Sequence, residues 1–351
     1  MDNRRYTPEQ IDKMKKRRQK IERRRKQKEY RKTCFILQVV VLLLISGLIS
    51  ALIFIPGNSS LISGQAFNPG IAKDVTDIPA VEKPDYSFMI TKLTNEIDSK
   101  NAILLDLASG QILAEKYPDE KIAPASLTKI MTAIVVLEHF EDLEIMIEMP
   151  NDMYTYLIEQ NASVAGFLAG ERVKIIDLLY GVLLPSGADA CLSLARAVSG
   201  TEVAFAKLMT DKARELGAQN TNFVNSTGLD DDNHYTTVRD LSKILTYALQ
   251  NPTFRTIFTS ESHTTAPTNK HMYGMTFYST TFKAFERAGL DNPYVKGGKT
   301  GFTGNACLCL ASLAMKNGRE YILVTVGAGS SNSSRGTQHV KDASLIYSRY
   351  A

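Results

Sequence analysis

The sequence predicts an α+β fold: an antiparallel sheet covered by helices, joined to an all-helical subdomain and preceded by one transmembrane helix. Three observations carry that reading. Strand-like runs stand at both ends of the part after residue 85, helical apolar patterns fill its middle, and a long uncharged apolar stretch precedes it. Strands that meet from opposite ends of a chain, with helices between them, share one antiparallel sheet.

The N-terminal third is organised by charge and hydropathy. Of 41 Lys and Arg in 351 residues, about fifteen fall in residues 1–33 against about five acids, so that block is roughly +10, the remainder is near −6, and the basic excess behind the net +4 is local. A Thr7-Pro8-Glu9 helix start opens this basic tail. Its Lys15-Lys-Arg-Arg18 run could meet nucleic acid or anionic lipid, but a solvated helical face and topology signal is the plainer reading, and no nucleic-acid partner is expected. Cys34 to Ile55 is apolar except for Gln38, Ser46, Gly47 and Ser50, at about 22 residues enough to cross a ~30 Å hydrocarbon layer. The basic block places residues 1–33 in the cytoplasm and everything past Pro56 outside the cell membrane, in single-pass signal-anchor topology. Cleavage at Gly64-Gln-Ala66 is disfavoured by distance from the span, and a lipoprotein by Cys34 preceding it. Residues 56–85, rich in Gly, Pro, Ser and Asn, read as an extracytoplasmic linker.

Residues 86–351 read as the globular domain. Ala102–Leu107 and Gln111–Glu115 flank Ala108-Ser-Gly110 as a hairpin. Ser126 to Phe140 is apolar on nearly every side beyond Lys129, as in a helix buried within a domain. Helices are expected over 175–184, 187–198, 201–217 and 237–250. Two apolar strands, 306–313 and 321–326, join through Lys316-Asn-Gly-Arg319, and an amphipathic helix closes the domain over 338–349. Four cysteines make no disulfide framework, and Cys191, Cys307 and Cys309 are expected as buried thiols. The five histidines form no ligand-spaced pair, so neither a metal nor another cofactor is expected.

The chemistry lies in three short motifs. Ser126 and Lys129, three apart in Ala125-Ser-Leu-Thr-Lys-Ile130, face the same side of a helix whose free N–H groups and positive dipole end point at the serine. A lysine on an otherwise apolar helix has no structural reason to be there. Alone, the pair is also what an N-capping serine and a snorkelling lysine look like. Gly298-Lys-Thr-Gly-Phe302 follows Val295-Lys-Gly and precedes an apolar strand, so its glycines allow a ligand to approach an edge; alone it is also a glycine-rich turn. Leu184-Pro-Ser-Gly-Ala-Asp189 lies between them, and the three in this order are far more specific than any one.

The chain resembles the low-molecular-mass penicillin-binding proteins, the D-alanyl-D-alanine carboxypeptidase family of penicilloyl serine transferases with the β-lactamase-like fold. The likeness covers roughly residues 86–345 and extends to Ala213-Arg-Glu-Leu-Gly217 through Gly228-Leu-Asp230 and to His234-Tyr-Thr-Thr-Val-Arg-Asp240. It implies peptidoglycan stem peptides as substrate and β-lactams as acylating inhibitors. Ser126 would be the nucleophile, Lys129 its neutral base beside the second cation Lys299, and Ser186 a proton relay near the leaving amine. Lys299 and Thr300 would hold the substrate carboxylate, and the Ser126 and Phe302 N–H groups beside Gly301 would form the oxyanion hole. The family's middle motif carries Asn where this chain has Ala188, so slowed catalysis is expected. Asp189, about 100° further round the helix, is not expected to replace that Asn. A β-lactamase is disfavoured, because Glu215 lacks an Asn four places on. The remaining alternative is a weak or inactive wall-sensing module reporting through the basic tail.

Overall fold

The computed structural model describes residues 90–351 except Thr94 and Asn292. The tail, the span over 34–55 and the linker over 56–85 lie outside the described residues. Among the described residues no helix is long and apolar enough to cross a membrane.

Strands β1 (Thr91–Lys92), β2 (Asn101–Asp106), β3 (Ile112–Lys116), β8 (Val295–Thr303), β9 (Cys307–Lys316) and β10 (Arg319–Ala328) form a six-stranded sheet in the order β1-β3-β2-β10-β9-β8. The two ends of the domain therefore meet where β10 pairs antiparallel with β2, from Tyr321 opposite Asp106 to Val326 opposite Asn101. Only β1 departs from the expected antiparallel pattern. It pairs parallel with β3, because it reaches the sheet across the edge and not through a hairpin.

Period-2 alternation decides the layers. On β2, Ile103 and Leu105 face one core, and Ala102 and Leu104 the other. On β10, Ile322, Val324 and Val326 share the face of Ile103, while Leu323 shares that of Leu104. Both faces are covered, so both alternating sets are apolar. The second face packs under α8 (Thr280–Ala288) and α9 (Gln338–Tyr350), through Phe285, Ile346 and Tyr347. The first face continues into the helical part: α1 (Thr128–His139), α2 (Tyr154–Glu159), α3 (Ile175–Leu183), α4 (Ala188–Ser199), α5 (Glu202–Glu215), α6 (Val238–Ala248) and α7 (Pro252–Thr259). At the centre, α1 is buried at every position from Thr128 to Val136, as its all-round apolar sequence requires.

The expected helices over 175–184, 187–198, 201–217 and 237–250 fall within a few residues of α3 to α6. The helix expected from Ser126 begins later. Residues Ala125–Leu127 form a 3₁₀ turn, and the α-helix starts at Thr128. The cause is local, for Ala125 is held at φ 46°, outside the helical region. Two small hairpins were not expected: β4 (Met146–Glu148) with β5 (Arg172–Lys174), and β6 (Ser262–Thr264) with β7 (Thr276–Tyr278). With three residues a strand, neither has enough sequence for alternation to show. Cys191, Cys307 and Cys309 are free and buried.

Candidate active site

Three elements converge on Ser126. The 3₁₀ turn presents it, α1 supplies Lys129 one turn on, and edge strand β8 runs alongside with Lys299, Thr300, Gly301 and Phe302. Because β8 is the last strand of the sheet, its outer edge is available to a ligand. The turn before α4 contributes Ser186, held at φ 69°.

Lys129 Nζ lies 3.0 Å from Ser126 Oγ and donates to the Thr227 carbonyl at 2.6 Å. The lysine is 2% exposed. Burial holds its pKa below the ordinary lysine value, against the opposing pull of Cys191, Asp189 and Glu202. Lys299 is wholly buried and is lowered well below the ordinary value by burial first and by the Lys129 charge second. Burial is the leading cause for both lysines, and the repulsion between two ammoniums disfavours charging them together. Two ammoniums cannot both be accommodated cheaply in this interior, so at least one is poised to be neutral.

The passage Phe223–His234 forms the floor beneath the serine. Thr132 Oγ1 donates to Ser226 O at 2.7 Å, and Thr128 Oγ1 pairs with His234 Nε2 at 2.8 Å. Val224 N–H donates to His234 Nδ1, so Nε2 carries the proton and donates to Thr128. Burial pushes that imidazole down to about 4, which keeps it neutral. Asn225 Oδ1 accepts from Gly228 N–H at 2.7 Å and bends the chain so that Gly228, at φ 83°, lies against the turn carrying Ser126. A Cβ there would stand 1.8 Å from Ala125 O, and a Cβ on Gly301 would stand 3.1 Å from Ser126 N. Both glycines let backbone approach backbone at Ser126.

Ser126 opens on two cavities. The larger, about 530 Å³, is lined by Ser126, Ser186, Thr280, Arg287, Thr300 and His339 among others. The smaller, about 290 Å³, is lined by Ser126, Lys129, Asn161, Ala188, Thr227 and Asp230 among others. Lys299 is on the surface of neither; its Nζ donates to Thr300 O at 2.6 Å. Thr300, whose Oγ1 donates to Thr280 Oγ1 at 2.7 Å, does line the larger cavity, and Arg287 is a cation in the same lining. Ser186 Oγ is buried with no hydrogen-bond partner among the described residues, a hydroxyl held ready in the cavity wall. Gly301 and Phe302 also line the larger cavity, next to Ser126.

Ala188 is 1% exposed, and its methyl forms part of the wall near Lys129. Asp189 turns away, as its place on α4 requires. Its carboxylate accepts from the backbone N–H groups of Ala165, Gly166 and Phe167 at 2.7–3.1 Å. Burial raises its pKa, and those donors hold the rise back. Motif reading did not assign site roles to Asn161, Thr227, Gly228 or Arg287. The Asn225-Ser-Thr-Gly-Leu229 passage was visible as a resemblance, but its carbonyl contact with Lys129 is a tertiary fact. No group of His, Cys, Asp and Glu among the described residues could hold a metal ion.

A serine with a buried lysine against it, beside a glycine-lined edge strand on an α+β scaffold, is a geometry suited to serine acyl transfer. Residues 88–330 match the peptidase S11 family, D-alanyl-D-alanine carboxypeptidase, and the chain belongs to it. Over 267 residues it is 34% identical to a D-alanyl-D-alanine carboxypeptidase of Bacillus subtilis, covering 74% of this chain and 65% of that one. A Streptomyces sp. K15 D-alanyl-D-alanine carboxypeptidase is 32% identical over 261 residues, 72% of this chain and 87% of that one. The chain thus spans less than two thirds of the Bacillus relative's length. In structure it is similar to a serine-to-alanine mutant of the Streptomyces K15 DD-transpeptidase, with TM-score 0.66 and 29% identity over 73% of this chain and 98% of that one. A D-alanyl-D-alanine carboxypeptidase from Mycobacterium tuberculosis superposes with TM-score 0.62 at 26% identity, over 72% of this chain and 90% of that one.

Proposed function

We propose that this chain is a membrane-anchored serine D-alanyl-D-alanine carboxypeptidase that trims the terminal D-Ala from peptidoglycan stem peptides. The observation that carries the reading is the 3.0 Å approach of a buried, pKa-lowered Lys129 to Ser126 Oγ. A neutral amine has two N–H bonds and one lone pair. One N–H is satisfied by Thr227 O, which leaves the lone pair to take the Ser126 proton as Oγ attacks the penultimate D-Ala carbonyl.

The oxyanion then faces the Ser126 and Phe302 N–H groups, a donor pair of a kind worth ~3–4 kcal/mol per member. Ser186 relays the proton to the leaving amine, D-Ala departs, and water hydrolyses the acyl-enzyme. Thr300, with Lys299 behind it, holds the terminal carboxylate; Arg287 adds positive charge on the same side. β-Lactams would acylate the same serine. The apolar segment over 34–55 would anchor the enzyme with its N-terminus in the cytoplasm and this domain outside.

Ala188 offers the substrate carbonyl no amide, which slows the enzyme unless another residue supplies one. Ala188 also favours a second reading, a catalytically inactive domain that senses wall peptides. Labelling with a fluorescent penicillin and assaying D-Ala release from a pentapeptide separate the two. The enzyme gives a stable adduct and measurable D-Ala, and both vanish in Ser126→Ala. Neither signal from the unmodified protein means the sensor.

A further inference from the structure

We propose that the Asn161 carboxamide supplies the polar contact that position 188 lacks, donating to the carbonyl of the bound peptide. The inference rests on the carboxypeptidase reading above and deepens it.

The wall opposite β8 is built from two segments, 161–167 and 186–189, fastened to each other. Ala188 N–H donates to Ser163 O at 2.7 Å, and Asp189 takes three N–H donors from residues 165–167. At Gly187 a Cβ would meet Ala165 Cβ at 2.6 Å, so the two backbones touch. The first segment is therefore held rigidly beside Ala188, and the residues leading into it face the nucleophile. Asn161, Ala162 and Ser163 line both cavities that meet at Ser126, and Ala188 lines the smaller one with them.

Of these, only Asn161 carries an amide. Gln160 reaches the smaller cavity alone. Asn161 sits just past the end of α2 at φ 48°, with its N–H donating to Ile158 O at 3.0 Å. Helices often end in this left-handed conformation, and after glycine asparagine tolerates it best. The backbone alone would thus be served by glycine, and what asparagine adds is a carboxamide on an exposed residue that lines both cavities. An NH₂ group can donate to a peptide carbonyl, which an alanine methyl at 188 cannot.

This makes Asn161→Gly the clean test, since it keeps the left-handed turn and removes only the amide. Acylation of Ser126 by benzylpenicillin and D-Ala release from diacetyl-L-Lys-D-Ala-D-Ala are measured in the full chain. The proteins are the unmodified chain, Asn161→Gly, Ala188→Asn and the double variant, with Asn161→Asp and Ser163→Ala alongside. Asn161→Gly should lower kcat/KM about ten- to a hundredfold, the usual consequence of one lost polar contact to the substrate. Asn161→Asp, which keeps size and loses the donor, should do the same. In the Ala188→Asn background the effect of Asn161→Gly should shrink to about twofold, because the second amide then makes the contact.

Equal losses in both backgrounds would mean that Asn161 only shapes the segment, and no loss, or a loss confined to Ser163→Ala, would overturn the assignment while leaving the enzyme intact. If none of the proteins is acylated or releases D-Ala, the carboxypeptidase reading itself fails and takes this one with it.

Discussion

At the scale of single residues, this site is set by how little room surrounds Ser126. Gly228 and Gly301 press on the turn that carries Ser126, and the first of them leaves no space even for a methyl group. Gly228→Ala should therefore abolish penicillin acylation of Ser126, because the floor must move away from Ala125 and takes the Thr227 carbonyl, the partner of Lys129, with it. Far-ultraviolet circular dichroism of the same variant should be close to that of the parent, since the shift is confined to one loop. Acylation kept within about threefold would show that the close approach is incidental; a displaced catalytic group usually costs far more. The strained backbone at Ala125 and Ser186, both non-glycine residues at positive φ, belongs to the same economy of space.

At the scale of elements, the middle motif acts through what it holds as much as through what it presents. Asp189 gathers three backbone N–H groups from 165–167, a segment with no secondary structure of its own. That segment is tied on its far side by the hairpin β6–β7. Glu171 is wholly buried, takes Leu168 N–H on one oxygen and both His271 Nδ1 and Thr268 Oγ1 on the other. Asp189→Ala would leave three donors without their acceptor, at about 1–3 kcal/mol for each one that stays buried and unpaired. Hydrogen exchange at Ala165, Gly166 and Phe167 should accelerate by more than tenfold, while the amides of α1 stay protected. Unchanged exchange at those three positions would contradict the fastening role.

At the scale of the whole molecule, two buried imidazoles make stability depend on pH. Burial pushes His234 and His339 down to about 4 from an ordinary 6.5, with Arg287 adding to the effect on His339. In each case the folded state resists a proton that the unfolded chain accepts. Stability is thus undiminished above pH 6.5, falls as pH drops from 6.5 towards 4, and levels off once the folded imidazole also protonates. Each would withdraw about 1.4 kcal/mol per pH unit inside that window. Thermal melts should show Tm falling steadily between pH 6.5 and 4.5, and His339→Gln should flatten part of the slope. Lysine ionisation acts at the other end. The depressed pKa of Lys129 predicts that penicillin acylation rises with pH in a range below that of a free lysine.

Local physics was enough to make much of this molecule legible. The hairpin of β2 with β3, the helices α3 to α6, the burial of α1, the hairpin through Asn317-Gly318 and the Ser126–Lys129 pair all follow from patterns within a dozen residues, because alternation, helical spacing and turn chemistry act at that range. Contacts that join distant segments were another matter. Nothing near Lys129 announces that Thr227, 98 residues away, will take its N–H, or that Asn161 will stand in the wall left bare by Ala188. Nor could spacing reveal that burial would hide Lys299 behind its own strand and leave Arg287 facing the cavity. Reactive groups were chosen by the linear code, but their partners and electrostatic surroundings were decided by packing, since desolvation and hydrogen-bond geometry exist only once the chain has closed on itself.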